Sequence, residues 1–235
     1  PLYRVRYGFE VADEVAPSGE DRMGTAGFIA DLQRRNLFGR ALTVGGTGRY
    51  ESDLWLLRGF ASKPRFLGLP FTTSLYLSRS HQEVRPGSAR PFNEDRWIVT
   101  AEQELRRGRA LRLSWGYRHD RSHVFDPEID PDDPFPIDFT VRTARLTSAV
   151  SIDLRDNPFA PRRGWFSGAT LEYAVPALGS EIDFVKVLAQ ASLFRPVGPL
   201  VLAAAARAGI VTGRSSLLSE RFFTGGRTTV RGYRE

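Results

Sequence analysis

From Tyr3 to Val11 every odd position is apolar (Tyr3, Val5, Tyr7, Phe9, Val11), while the even positions read Arg4, Arg6, Gly8 and Glu10. A sustained period of two puts one apolar and one charged face on an extended chain, whereas a helix would scatter both sets around its axis. After a polar turn at Pro17 to Glu20, Ala26, Phe28, Ala30 and Leu32 alternate with Gly27, Asp31 and Gln33 in a second strand ending near Asn36. Gly39 opens a third, glycine-rich strand to Tyr50. A fourth, Leu54 to Arg65, alternates less cleanly, and a fifth sets Phe71, Thr73, Leu75 and Leu77 against Thr72, Ser74, Tyr76 and Ser78.

The pattern then sharpens. In the sixth strand, from Trp97, Val99, Ala101 and Leu105 oppose Thr100, Glu102, Glu104 and Arg106; in the seventh, Leu111, Leu113, Trp115 and Tyr117 oppose Arg112, Ser114, Gly116 and Arg118. A long loop, His119 to Asp138, leads to an eighth strand, Phe139 to Leu154, with Arg145 and Asp153 on its polar side. A ninth after Gly164 sets Ala169, Leu171, Tyr173 and Val175 against Thr170 and Glu172. The tenth, Ile182 to Arg195, sets Val185, Val187, Ala189, Ala191 and Leu193 against Asp183, Lys186, Gln190 and Ser192. Leu200 to Thr212, with four alanines, fits a helix as well as a strand. Its period of two, with Arg207 and Gly209 on one side, and its strand neighbours favour an eleventh strand.

An ordinary β-sandwich also alternates, but its strands run to about five or six residues and its apolar faces cover one another. Here the runs have the length needed to cross a bilayer at a tilt, and their apolar faces carry Trp and Tyr near strand ends, as aromatic girdles do. The expected fold is all-β: a transmembrane, up-and-down antiparallel β-barrel with a polar lumen. Unpaired backbone is not tolerated in lipid, and single-chain bacterial barrels have even strand numbers. These eleven strands are therefore expected to be the first of a larger barrel, with residues 1–214 as strands one to eleven and 215–235 as a loop.

Composition narrows the alternatives. The 235 residues are 11% aromatic, which argues against disorder. There is no cysteine, hence no disulfide framework or thiolate metal site, which is compatible with a bacterial periplasm or outer membrane. The net charge of +6 comes from arginines dispersed along alternating positions, so nucleic acid is not an expected partner. The longest apolar run, Pro199 to Val211, is interrupted by Arg207 and is too short for a spanning helix. No charged-then-apolar leader opens the chain, which reads as a piece of something longer.

Two stretches carry a family resemblance. Asp153-Leu154-Arg155-Asp156-Asn157-Pro158-Phe159-Ala160-Pro161-Arg162-Arg163-Gly164-Trp165 resembles the turn between the eighth and ninth strands of the BamA/TamA outer-membrane assembly family, in which an Asp-rich strand end leads to Pro and Gly. Val230-Arg231-Gly232-Tyr233 resembles that family's loop-six motif and follows the eleventh strand, as it does there. The candidate site residues are thus Asp153, Asp156, Asn157, Pro158, Pro161 and Gly164 in the turn, and Val230, Arg231, Gly232 and Tyr233 in the loop. An arginine held inside a fold needs a carboxylate or several carbonyls around its fork of donors. The resemblance implies a sixteen-stranded barrel, an acidic wall partner for Arg231 in closing strands beyond residue 235, and periplasmic repeat domains before residue 1.

It also implies a function: insertion of unfolded β-barrel clients into a bacterial outer membrane, by strand addition to an edge that Tyr3, Val5, Tyr7, Phe9 and Val11 would provide through their backbone. The implied partners are outer-membrane lipid, the clients, and periplasmic accessory proteins reached through the upstream domains. Rival readings are a two-partner secretion pore, a passive porin, and a barrel anchoring an upstream domain. No cofactor, metal or enzymatic activity is expected. His119, Asp120, Ser122 and His123 cluster in sequence, but on a loop they lack an oxyanion scaffold. Asp126, Glu128, Asp130, Asp132 and Asp133 are interrupted by prolines and lack the turn glycine of a calcium loop. Inward Arg4, Arg6, Arg112, Arg118, Arg145 and Arg207 suit anion selectivity, or pairing with lumen carboxylates such as Glu102, Glu172 and Asp183.

Overall fold

The computed structural model describes residues 2–15, 22–84, 91–127 and 136–213. Eleven strands form one sheet whose spatial order is the order of the chain: β1 (Tyr3–Val15), β2 (Arg22–Leu37), β3 (Leu42–Tyr50), β4 (Leu54–Pro64), β5 (Thr72–Val84), β6 (Phe92–Arg107), β7 (Leu111–Phe125), β8 (Asp138–Asp153), β9 (Gly164–Ala174), β10 (Phe184–Val197) and β11 (Leu200–Thr212). The shortest strand has 9 residues and the longest have 16, enough for a tilted membrane crossing. Leu200–Thr212 is a strand, in register with β10 from Val197 opposite Leu200 to Val185 opposite Thr212.

The chain divides into two compact units: Pro1–Glu104 with Gly116–Thr143, and Leu105–Trp115 with Ala144–Glu235. In the first unit the register lines up Val5, Leu32, Gly46, Gly59, Leu77 and Val99 across six strands, and beside them Arg6, Asp31, Thr47, Arg58 and Ser78. Adjacent rows point to opposite faces, so the first row is apolar and the second polar. Toward the 51–53 and 126–137 connections the apolar face ends in an aromatic row, Phe9, Phe28, Tyr50 and Trp55. In the second unit Leu171, Val187 and Ile210 share the apolar face, and Thr147, Glu172 and Lys186 share the polar one.

Burial is inverted relative to a water-soluble domain. Among the described residues the only buried apolar ones are Ala144, Ala174, Ile182 and Phe184, whereas Val5 is 64% exposed, Leu57 59%, Leu171 42% and Ile210 59%. The buried polar residues include Ser74, Asp120, Thr143 and Arg145. An apolar surface this continuous is stable only against lipid or another apolar partner.

Several boundaries differ from the reading of the sequence. Gly39 lies in the β2–β3 turn with φ +68°, not in β3, and Asn36 Oδ1 accepts from Ala41 N across that turn at 2.8 Å. β5 starts at Thr72 and runs on to Val84, β6 starts at Phe92, and β10 starts at Phe184. The largest correction concerns His119, Asp120, Ser122 and His123: they belong to β7, which continues to Phe125, and not to a loop.

Candidate functional site

Three features of the sheet carry the candidate site: its first edge, its polar face and the β8–β9 turn. Among the described residues β1 stands at one end of the strand order and pairs with β2. That pairing is unbroken from Tyr3 opposite Arg34 to Val15 opposite Arg22, so Tyr3, Val5, Tyr7, Phe9 and Val11 all lie on the edge strand. Arg6 Nη2 donates to Asp31 at 3.0 Å, the Phe9 and Phe28 rings sit 5.3 Å apart, and Arg34 lies over the Tyr3 ring at 5.1 Å. These exposed contacts are weak, each worth up to about 1 kcal/mol, and β1 is held to β2 mainly by their backbone ladder. Such an edge offers its other row of N–H and C=O groups to a further strand.

On the polar face, Asp120 (3% exposed) takes both oxygens to Arg96, with Arg96 Nε 2.9 and 3.0 Å away, and receives Arg118 Nη2 at 3.3 Å. Ser122 donates to Glu94. Asp120 and Ser122 share this face, while alternation turns His119 and His123 to the other, where His123 Nε2 meets Asp138 at 2.9 Å. The sequence cluster is therefore split by the sheet into two unrelated sets. In the second unit Arg145, 5% exposed, donates to Glu172 Oε2 at 2.7 Å and lies over the Phe184 ring at 5.2 Å; Arg207 donates to Gln190 Oε1 at 3.1 Å. The inward arginines are thus mostly matched within the sheet. Glu172 pairs as expected, Asp31 and Asp120 are acceptors that the sequence did not assign to an arginine, and Asp183 lies in the β9–β10 connection.

The β8–β9 turn is organised by two carboxylates. Asp153 ends β8 and accepts from Arg155 Nε at 2.8 Å, Nη2 at 2.7 Å and backbone N at 3.2 Å, a bidentate clamp that folds the arginine back over the Phe166 ring at 5.1 Å. Arg155 also donates to Pro158 O at 3.3 Å, and Asp153 holds its guanidinium pKa above the usual arginine value. Asp156 Oδ1 accepts the backbone N–H groups of Arg162 (3.0 Å), Arg163 (3.2 Å) and Asn157 (2.9 Å), and these donors hold its carboxyl below the usual aspartate range. Asn157 Oδ1 accepts from Phe159 N and Ala160 N at 2.8 and 3.3 Å. Gly164 closes the turn at φ +104°, where a Cβ would lie 2.1 Å from Leu154 O. Pro158 and Pro161 stiffen the span between Asp156 and the Arg162 and Arg163 amides that it accepts. Arg155 is the working residue of this turn that the motif alone did not single out.

Val230, Arg231, Gly232 and Tyr233 lie outside the described residues, as do Glu128, Asp130, Asp132 and Asp133; Asp126 N donates to Ile137 O at 2.9 Å at the mouth of that connection. Among the described residues no group of three His, Cys, Asp or Glu side chains is placed to hold a metal ion.

Comparison with known proteins places the chain in a family. No curated protein matches the chain. Among solved structures, the crystal structure of BamA from Haemophilus ducreyi lacking POTRA domains 1–3 matches with a TM-score of 0.78 at 12% identity. The match covers 98% of this chain but 46% of that one, so the chain spans less than half of the structure it resembles. At this identity the likeness establishes the fold. Residues 36–235 match the Omp85 superfamily domain; the chain belongs to the Omp85 superfamily, as a multi-strand β-barrel of the bacterial outer membrane.

Proposed function

We propose that this barrel inserts β-barrel proteins into the outer membrane by strand addition, with β1 as the templating edge. The observation that supports this most is the regularity of β1: a 13-residue strand in unbroken register with β2, whose apolar row continues the apolar face of the sheet. A client strand pairing with β1 would satisfy its backbone groups without leaving lipid, where each unpaired group costs several kcal/mol. The recognition is backbone hydrogen bonding with alternating side chains facing lipid and lumen, which requires no client sequence beyond the alternation common to such barrels. No covalent chemistry is involved, and the work of the protein is templating.

Photo-crosslinking tests this. With a crosslinking amino acid in the full-length protein at Val5, Tyr7 or Phe9, and separately at the polar-face positions Lys186 and Arg207, nascent outer-membrane clients are expected on the β1 positions. Crosslinks confined to Lys186 and Arg207 would instead support passage through the lumen, as in a secretion pore, and would contradict templating.

A further inference from the structure

The apolar face of the first unit is interrupted by a trough. Its floor is Ala30 on β2, Gly46 and Gly48 on β3, and Gly59 on β4, which share one face because Ala30 lies opposite Gly48 and Gly46 opposite Gly59. Leu32, Leu57, Leu77 and Trp97 rise around it to border an open depression of about 710 Å³, within the roughly 300–1,000 Å³ typical of small-molecule clefts. One charged side chain stands on this face at the trough: Arg79, opposite Leu57 on one side and Trp97 on the other. Its guanidinium lies 4.8 Å from the Trp97 ring centroid and 5.5 Å from that of Trp55. Among the described residues no carboxylate pairs with it.

The position of Arg79 along the strands matters. The next row toward the 51–53 connection holds the aromatic residues Phe9, Phe28, Tyr50 and Trp55, the kind of residue that marks a membrane interface, and continues as His81 and Asp95, which pair with one another at 2.6 Å. The next row in the other direction holds Val5, Leu32, Gly46, Gly59 and Leu77. The cation therefore sits at headgroup depth, where a charge on the lipid face costs only about 0–1 kcal/mol, and the trough runs from it toward the bilayer interior. Stacking on indoles leaves the edge N–H donors of a guanidinium free for a planar, bidentate acceptor such as phosphate. The backbone of the floor is committed to the ladders joining β2, β3 and β4, so a peptide laid there would find no partner for its amides, whereas a hydrocarbon chain needs none.

We propose that this trough seats one acyl chain of an anionic, phosphate-bearing membrane lipid, with its phosphate on Arg79. The test is native mass spectrometry of the full-length protein in mild detergent, titrated with dioleoyl phosphatidylglycerol, with dioleoyl phosphatidylcholine, and with inorganic phosphate as competitor. The wild type is expected to retain one phosphatidylglycerol that Arg79→Gln binds about five-fold more weakly, the effect of one cation near a membrane surface. Gly59→Leu fills the floor where an added Cβ meets no atom within 4 Å, so the fold should be kept and retention of both lipids should fall. Equal retention by wild type and both variants overturns the proposal, as does a preference for phosphatidylcholine. Displacement by inorganic phosphate alone would assign a free-ion site, and a dimer lost in Gly59→Leu would assign the trough to a second copy; either result overturns it.

Discussion

Replacing Gly164 by alanine strikes the β8–β9 turn where it is tightest. The residue has φ +104°, a region that costs a non-glycine residue about 1–3 kcal/mol. Beyond that strain, a Cβ would lie 2.1 Å from Leu154 O and 2.9 Å from Arg155 Cα. Both are backbone atoms, so no rotamer change relieves the overlap and the turn must open. Opening stretches the bond from Leu154 N to Trp165 O, 2.9 Å long and worth roughly 1 kcal/mol. Against this, alanine narrows the unfolded ensemble, an offset of about 0.4–1 kcal/mol. The net expectation is a loss of about 2–4 kcal/mol, or roughly thirty- to several-hundred-fold in the folding equilibrium. Gly179→Ala is the control, because its φ is +90° with nothing within 4 Å of the added carbon, so it meets strain without collision and should lose about 1–2 kcal/mol. Urea unfolding of both variants in detergent micelles, followed by tryptophan fluorescence with Trp165 beside the lesion, measures the difference. If Gly164→Ala is no more destabilising than Gly179→Ala, the backbone contact does not limit this turn.

Single cysteines at Val5, Leu113, Leu171 and Val187 should react with lipid-restricted reagents, and those at Arg6, Arg112, Glu172 and Lys186 with water-soluble ones; reversal on three or more strands would contradict the face assignment. Asp120→Asn leaves Arg96 and Arg118 facing each other without the carboxylate they share, and should lower the urea midpoint by an amount equivalent to about 2–4 kcal/mol, while Asp138→Asn, at an exposed pair, should cost under about 1 kcal/mol. The Asp156 carboxyl titrates below its ordinary value because backbone donors favour the anion. Its contribution to turn order is therefore fully present above the unfolded pKa and is lost as pH falls through the lower folded one, so the Arg162 and Arg163 amide resonances should hold their positions until the pH is below about 3.9.

How much of this was legible in the sequence depends on which solvent each residue meets. Within the lipid-facing band the alternation is enforced, and Val99, Leu113, Leu171 and Val187 could be assigned to a face without a structure. Beyond the band both faces of a strand meet water, so the period of two fades while the backbone ladder continues. That is why His81 to Val84, Phe92 to Arg96 and His119 to Phe125 did not read as strand, although all of them are. The alanine run of β11 was ambiguous because small residues satisfy either period; pairing of Ala204, Ala206 and Ala208 with Leu193, Ala191 and Ala189 decides it. In the turn, the aspartates and Gly164 stood out by type, but the bidentate contact between Asp153 and Arg155 required the chain to reverse first. Arg79 was invisible as a lipid-face residue because alternation alone gives no reason to find a cation there.

The most direct test of templating at β1 is to lock it. A cysteine at Gly8, where a Cβ meets only Ile29 Cγ2 at 3.6 Å, would be bridged in the full-length protein to a cysteine on the strand that closes against β1, and client insertion would be assayed in proteoliposomes before and after reduction. Templating predicts that the oxidised protein stays folded but does not insert clients, and that reduction restores insertion. Undiminished insertion with the seam locked would contradict strand addition at this edge.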